Sequence, residues 1–100
     1  MKLETIIAFL KSKNWKLTKS NDKFFHFSPP KKLKFEGDFK LEIPKNENTL
    51  TFLRYMLIVT KGIAEVYQLD KEKLIALFSK SLEEIKMERA ITKGMVSLSK

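Results

Sequence analysis

The chain contains no cysteine, which excludes a disulfide framework, a thiolate metal site and a thiol nucleophile. It has only three glycines, too few for a Gly-rich loop that cradles phosphates, and it carries no serine elbow or kinase element. A single histidine, His26, rules out a histidine-rich metal site and makes this residue the sole imidazole available for proton transfer. Arginine is nearly absent: Arg54 and Arg89 stand against eighteen lysines, which leaves few planar guanidinium forks for bidentate recognition of bases. The longest apolar stretch, Leu53–Thr60, is interrupted by Arg54 and ends at Lys61, well short of the ~20 residues of a membrane span. Near the N-terminus, Ile6–Leu10 gives way to Lys11 and Lys13 without a small-residue cleavage site, so no secretory pattern is read there. These absences predict a cytoplasmic protein with no membrane contact, no metal and no cofactor.

What is present is aromatic and basic. Eight Phe, one Trp and two Tyr, with 43% apolar residues in 100, are the composition of one folded domain rather than of a disordered tail. The formal charge is +8, and it is uneven. Residues 1–45 hold eleven lysines against five acids, while residues 46–100 hold nine basic residues against seven. Between Lys11 and Lys34 the only acid is Asp22. A localised excess of this kind favours a polyanionic partner, either nucleic acid, RNA before DNA, or an acidic protein surface. Lysine serves solubility equally well, so the charge argues for backbone contact rather than sequence readout.

Hydrophobic spacing supplies the fold. Leu3, Ile6, Ile7 and Leu10 recur at i, i+3, i+4 and i+7, which predicts an amphipathic helix stopping at Asn14. From Trp15 to Pro44 apolar and polar residues alternate, as in three antiparallel strands. Ser20-Asn21-Asp22 forms a turn, and Pro29-Pro30 and Pro44 end the second and third strands. The inner face is expected to collect Trp15, Leu17, Phe25, Phe27, Phe39, Leu41 and Ile43, with Phe24, His26, Lys16 and Lys40 on the outer face. Asn48 is the expected N-cap of a second helix reaching about Gln68, with Gly62 a kink or a close crossing, and Asp70 the N-cap of a third carrying Leu74, Leu77, Phe78 and Leu82. From Glu83 onward Ile85, Met87 and Ile91 are read as strand, with Thr92-Lys93-Gly94 a hairpin turn before Met95–Leu98; the other reading simply continues the helix. The predicted class is α+β, in the order αβββαα, one domain built from a basic αβββ part (1–45) and a helical part (46–100), with short strands at the C-terminal end.

The candidate nucleic-acid contacts are Lys11, Lys13, Lys16, Lys19, Lys23, Lys31, Lys32, Lys34 and Lys40, with Phe24 placed to stack a base. The bland reading is that a helix, the tail or lysine stems cover Phe24. His26 could act as a general base only with an orienting partner, for which Glu42 on a neighbouring strand is placed; more often a lone histidine on an outer strand face is a surface residue. Asp38, Lys40 and Glu42 read as ordinary cross-strand ion pairing. The second helix is apolar nearly all round between Leu53 and Val59, so Leu53, Met56, Leu57 and Val59 form a candidate interface with a second copy or another protein.

Residues 3–44 resemble HicA-type toxins, small mRNA interferases of toxin–antitoxin pairs, within the helix–strand–strand–strand–helix layout of double-stranded-RNA-binding domains. The likeness lies in the amphipathic first helix, the Asn14-Trp15 step, the close Phe27-Ser28-Pro29-Pro30, and the strand end Leu41-Glu42-Ile43-Pro44. That family carries its catalytic histidine in a Gly-Ser-His stretch where this chain reads Asp22-Lys23-Phe24. The resemblance therefore implies the fold and RNA affinity without the nuclease activity. Three functions compete: a non-catalytic RNA-binding domain, a protein-interaction module (an antitoxin-like partner, a phage or plasmid accessory protein, or a domain of a larger protein), and a ribonuclease using His26.

Overall fold

The computed structural model describes residues 1–35, 37 and 39–88. The chain forms α1 (Leu3–Ser12), β1 (Lys16–Ser20), β2 (Phe24–Ser28), β3 (Leu41–Pro44), α2 (Leu50–Tyr67) and α3 (Lys71–Phe78), followed by a helical segment over residues 82–88. The layout is α+β in the expected order. The three strands make one antiparallel sheet in the order β1-β2-β3, so β1 and β3 are both edges.

Local chemistry sets the boundaries. The end of α1 is a Schellman closure: Asn14 takes a left-handed φ of 68°, its N–H donates to the Lys11 carbonyl and the Trp15 N–H to the Leu10 carbonyl. This turn drops the Trp15 ring into the core, where its indole N–H donates to the Tyr67 hydroxyl at 2.8 Å. The β1–β2 turn is held by Asn21, whose side-chain oxygen accepts from the Lys23 and Phe24 N–H groups. The cap of α2 is Thr49 rather than Asn48: its extended backbone lets the hydroxyl accept from the Phe52 N–H at 3.0 Å. Asp70 caps α3 as expected, through the Glu72 and Lys73 N–H groups.

The core lies under β2 and β3. Phe27, Leu41 and Ile43 from the sheet meet Ile6 and Leu10 of α1, Phe52, Met56 and Ile63 of α2, and Leu74 and Phe78 of α3. Two residues expected inside are not. Leu17 lies opposite Phe27 but is 44% exposed, on a strand whose five residues are all exposed. Phe39 is 41% exposed; β3 begins only at Leu41, so Phe39 belongs to the preceding loop, stacked on Phe35 with centroids 4.5 Å apart. Gly62 mediates no close crossing, since a Cβ built there would have no heavy atom within 4 Å. The strand reading from Glu83 fails over 82–88, which are helical: the Ser81 hydroxyl accepts from the Glu84 N–H and the Glu4 carboxylate from the Leu82 N–H, together capping the segment. Ile91, the Thr92–Gly94 turn and Met95–Leu98 lie outside the described residues, as does Asp38.

Candidate nucleic-acid interface

The outer face of the sheet is built from β2 outward. Phe24, His26 and Ser28 point away from the core residues Phe25 and Phe27, and directly opposed residues in an antiparallel ladder share a face. The register pairs Ser28 with Lys16, His26 with Lys19 and Glu42, and Phe24 with Pro44. Simple alternation from Trp15 would have turned Lys19 inward with Leu17. A register shift between Leu17 and Lys19 adds one residue at Thr18 and returns Lys19 to the outer face beside His26. Both β1 lysines of the expected set therefore lie with His26 and Phe24.

The remaining lysines fall into separate groups. Lys31, Lys34 and Lys40 border one depression of about 450 Å³ in the Ser28–Lys40 loop, and Lys32 is exposed beside them. Lys40 therefore belongs to this loop and not to the strand face. Lys11 and Lys13 sit at the end of α1, but Lys13 is only half-exposed, its ammonium 5.4 Å from the Tyr67 ring centre. Lys23 and Phe24 line an open groove of about 730 Å³ beside β3, with Pro44, Lys45 and Tyr55 among its walls. Phe24 is half-buried there.

His26 is held on both sides. Its Nδ1 lies 3.7 Å from Glu42 Oε1, with the side chain 14% exposed, and its Nε2 lies 3.4 Å from Asn21 Nδ2. Because the Asn21 oxygen is already engaged by two backbone N–H groups, the group facing the ring is the amide NH₂, a donor only. The ring then accepts at Nε2 and carries its proton on Nδ1, toward Glu42. Glu42 is the orienting carboxylate the sequence suggested, yet the nitrogen a base would use is turned to Asn21. Among the described residues, no group of three His, Asp or Glu side chains is placed to hold a metal ion.

Tyr55 closes the β3 edge by donating its hydroxyl to the Glu42 carbonyl at 2.6 Å. Its phenol is pushed above the ordinary value of 10, by burial first and by the Glu42 charge second. Sequence reasoning missed Asn21 as a partner of His26, and missed Lys45 and Tyr55 as groove residues. The Asn in a turn cluster directly before a strand was the available signal for the first; nothing in the spacing marks the other two.

The candidate interface on α2 divides. Met56 is fully buried in the core and cannot meet a partner, and Val59 is half-buried against that core. Leu53 and Leu57 are each 39% exposed, and the larger exposed side chains of the helix are Ile58 at 73% and Leu50 at 62%. The core stripe Phe52, Met56, Thr60, Ile63 explains the split, since it turns Met56 inward while Ile58 lands on the opposite side. No helix among the described residues is long and apolar enough to cross a membrane.

No protein-family model, curated protein or solved structure matches the chain.

Proposed function

We propose that the protein is a non-catalytic RNA-binding domain that grips the phosphate backbone with lysines. The observation that carries this reading is the grouping of Lys16 and Lys19 with Phe24 on one sheet face, beside a loop that gathers Lys31, Lys34 and Lys40 around one depression. Lysines on an exposed edge strand also keep it from pairing with another chain. That role accounts for Lys16 and Lys19 and leaves the loop lysines unexplained. The HicA-like features of residues 3–44 point the same way, and Phe24 in place of the family's catalytic histidine points to binding rather than cleavage.

The test is anisotropy of a labelled hairpin RNA at two salt concentrations. With about five phosphate contacts, raising salt from ~50 to ~200 mM weakens binding roughly 100- to 500-fold. Replacing Lys16, Lys19, Lys31 and Lys34 by Gln lowers that dependence. Absent affinity, or affinity indifferent to salt, overturns the reading.

A second reading, a protein-interaction module, is favoured by the exposed apolar side of α2, with Ile58 at its centre. Light scattering at high protein concentration distinguishes its homodimer form, which Ile58→Glu dissolves. A strict monomer leaves only a different protein as the partner.

A further inference from the structure

The groove beside β3 combines features that a lysine-coated surface does not require. Lys23 and Lys45 are cross-strand neighbours: the Lys45 N–H donates to the Lys23 carbonyl at 2.9 Å, one step beyond the Phe24–Pro44 pair. Like charges set opposite each other on adjacent strands repel, and both residues line the groove. Lys45 is half-buried, its ammonium 4.8 Å from the Phe25 ring centre. The groove is also lined by half-buried Phe24 and by two acidic residues, Asp22 and Glu42. Its volume of about 730 Å³ falls in the ~300–1,000 Å³ range of small-ligand sites.

We propose that this groove binds one unpaired nucleotide, with the phosphate between Lys23 and Lys45, the base stacked on Phe24, and its amino group toward Asp22 and Glu42. The proposal rests on the RNA-binding reading and narrows it to a single-stranded segment. An anion between the two ammonium groups replaces their repulsion by charge-assisted hydrogen bonds. An aromatic face stacks any base, for roughly a 5- to 150-fold gain in affinity. The carboxylates select. They only accept hydrogen bonds, so they pair with the exocyclic amino groups of adenine, cytosine and guanine and are repelled by the carbonyl edges of uracil.

The experiment titrates the 100-residue chain with AMP, UMP and inorganic phosphate, followed by amide chemical shifts. Short oligoadenylate and a hairpin RNA are measured by anisotropy. AMP is expected to shift the amides of Asp22–Phe24 and Pro44's neighbours Ile43 and Lys45, and UMP to bind several-fold more weakly. Phe24→Ala and Lys45→Gln each weaken oligoadenylate about tenfold or more, and Lys45→Gln leaves hairpin affinity within twofold. Phe24→Leu keeps the apolar volume without the stacking ring and serves should the alanine variant not fold.

Shifts from phosphate equal to those from AMP, oligoadenylate affinity unchanged by both substitutions, or no response to any probe overturns the proposal. If the hairpin does not bind while AMP still shifts these amides, the lysine-surface reading falls and the groove stands.

Discussion

Two helices end in the same backbone geometry with different residues, which permits a controlled test of what the closures cost. At the end of α1, Asn14 has φ 68° and closes onto Lys11 and Leu10; at the end of α2, Gln68 has φ 54° and closes onto Glu65 and, through Leu69, onto Ala64 at 2.8 Å. A left-handed conformation costs an ordinary L-residue ~1–2 kcal/mol, whereas Asn tolerates it by local hydrogen bonding. Glycine removes that cost but loses more backbone entropy on folding, which returns ~0.5–1 kcal/mol. Both side chains are exposed, so neither substitution sacrifices packing. Gln68→Gly is therefore expected to stabilise the fold by roughly 0.5–1 kcal/mol, and Asn14→Gly to change it by less than about half of that. For a domain of this size the first corresponds to a melting temperature higher by about 2–8 °C. Thermal unfolding by circular dichroism, with urea midpoints as a second measure, reads both. A destabilised Gln68→Gly, or an Asn14→Gly gain as large, refutes the reasoning that the strain belongs to the residue type and not to the turn.

The hydroxyl of Thr60 is fully buried on α2 without a hydrogen-bond partner among the described residues, so Thr60→Val is expected to stabilise by about 1 kcal/mol; a loss in the urea midpoint would show that the hydroxyl is in fact satisfied. Phe27→Ala is expected to cost ~3–5 kcal/mol, while Leu17→Ala, opposite it but on the open edge, costs under ~1 kcal/mol; similar losses at both positions contradict the bare β1 edge. The raised phenol of Tyr55 means that the folded state holds that proton more tightly than the unfolded chain. Its stabilisation is full below the ordinary value of 10 and is lost as pH rises through the raised one. Tyr55→Phe should thus cost ~1 kcal/mol at neutral pH and flatten the stability difference from wild type at alkaline pH; a difference that does not shrink counts against the assignment. Neutral His26 is expected as the Nδ1–H tautomer, read from its ring ¹⁵N shifts, and the Nε2–H form would mean that Asn21 does not fix the ring.

The legible part of the candidate site was its side-chain inventory. The lysine excess before Lys45, Phe24 and His26 on one strand face, and Glu42 as the neighbour of His26 all follow from period-two alternation along a continuous strand. Lys19 did not follow, because a one-residue bulge at Thr18 reverses the alternation, and a bulge leaves no mark in composition. Phe39 and Lys40 were misplaced for the same kind of reason: their alternation with Leu41 continues past the point where β3 begins. Asn21 was recognisable as a turn residue, but its second role needs the ring of His26 brought back across the turn.

By itself the sequence determined the elements: helices from apolar spacing, stops at Asn14 and Pro44, the cap at Asp70, and the order αβββαα. These depend on residues within a turn or two of one another, where spacing and backbone preference decide. Tertiary structure decided which apolar residues are core. Leu17 and Met56 are both apolar as text, yet one sits largely exposed on an edge strand and the other is fully buried in the core cluster. It also decided where the groove lies, since Lys23 and Lys45 are 22 residues apart in the chain and become neighbours only through the β2–β3 ladder. Burial and opposition across a sheet are properties of what folds over what, and no local pattern carries them.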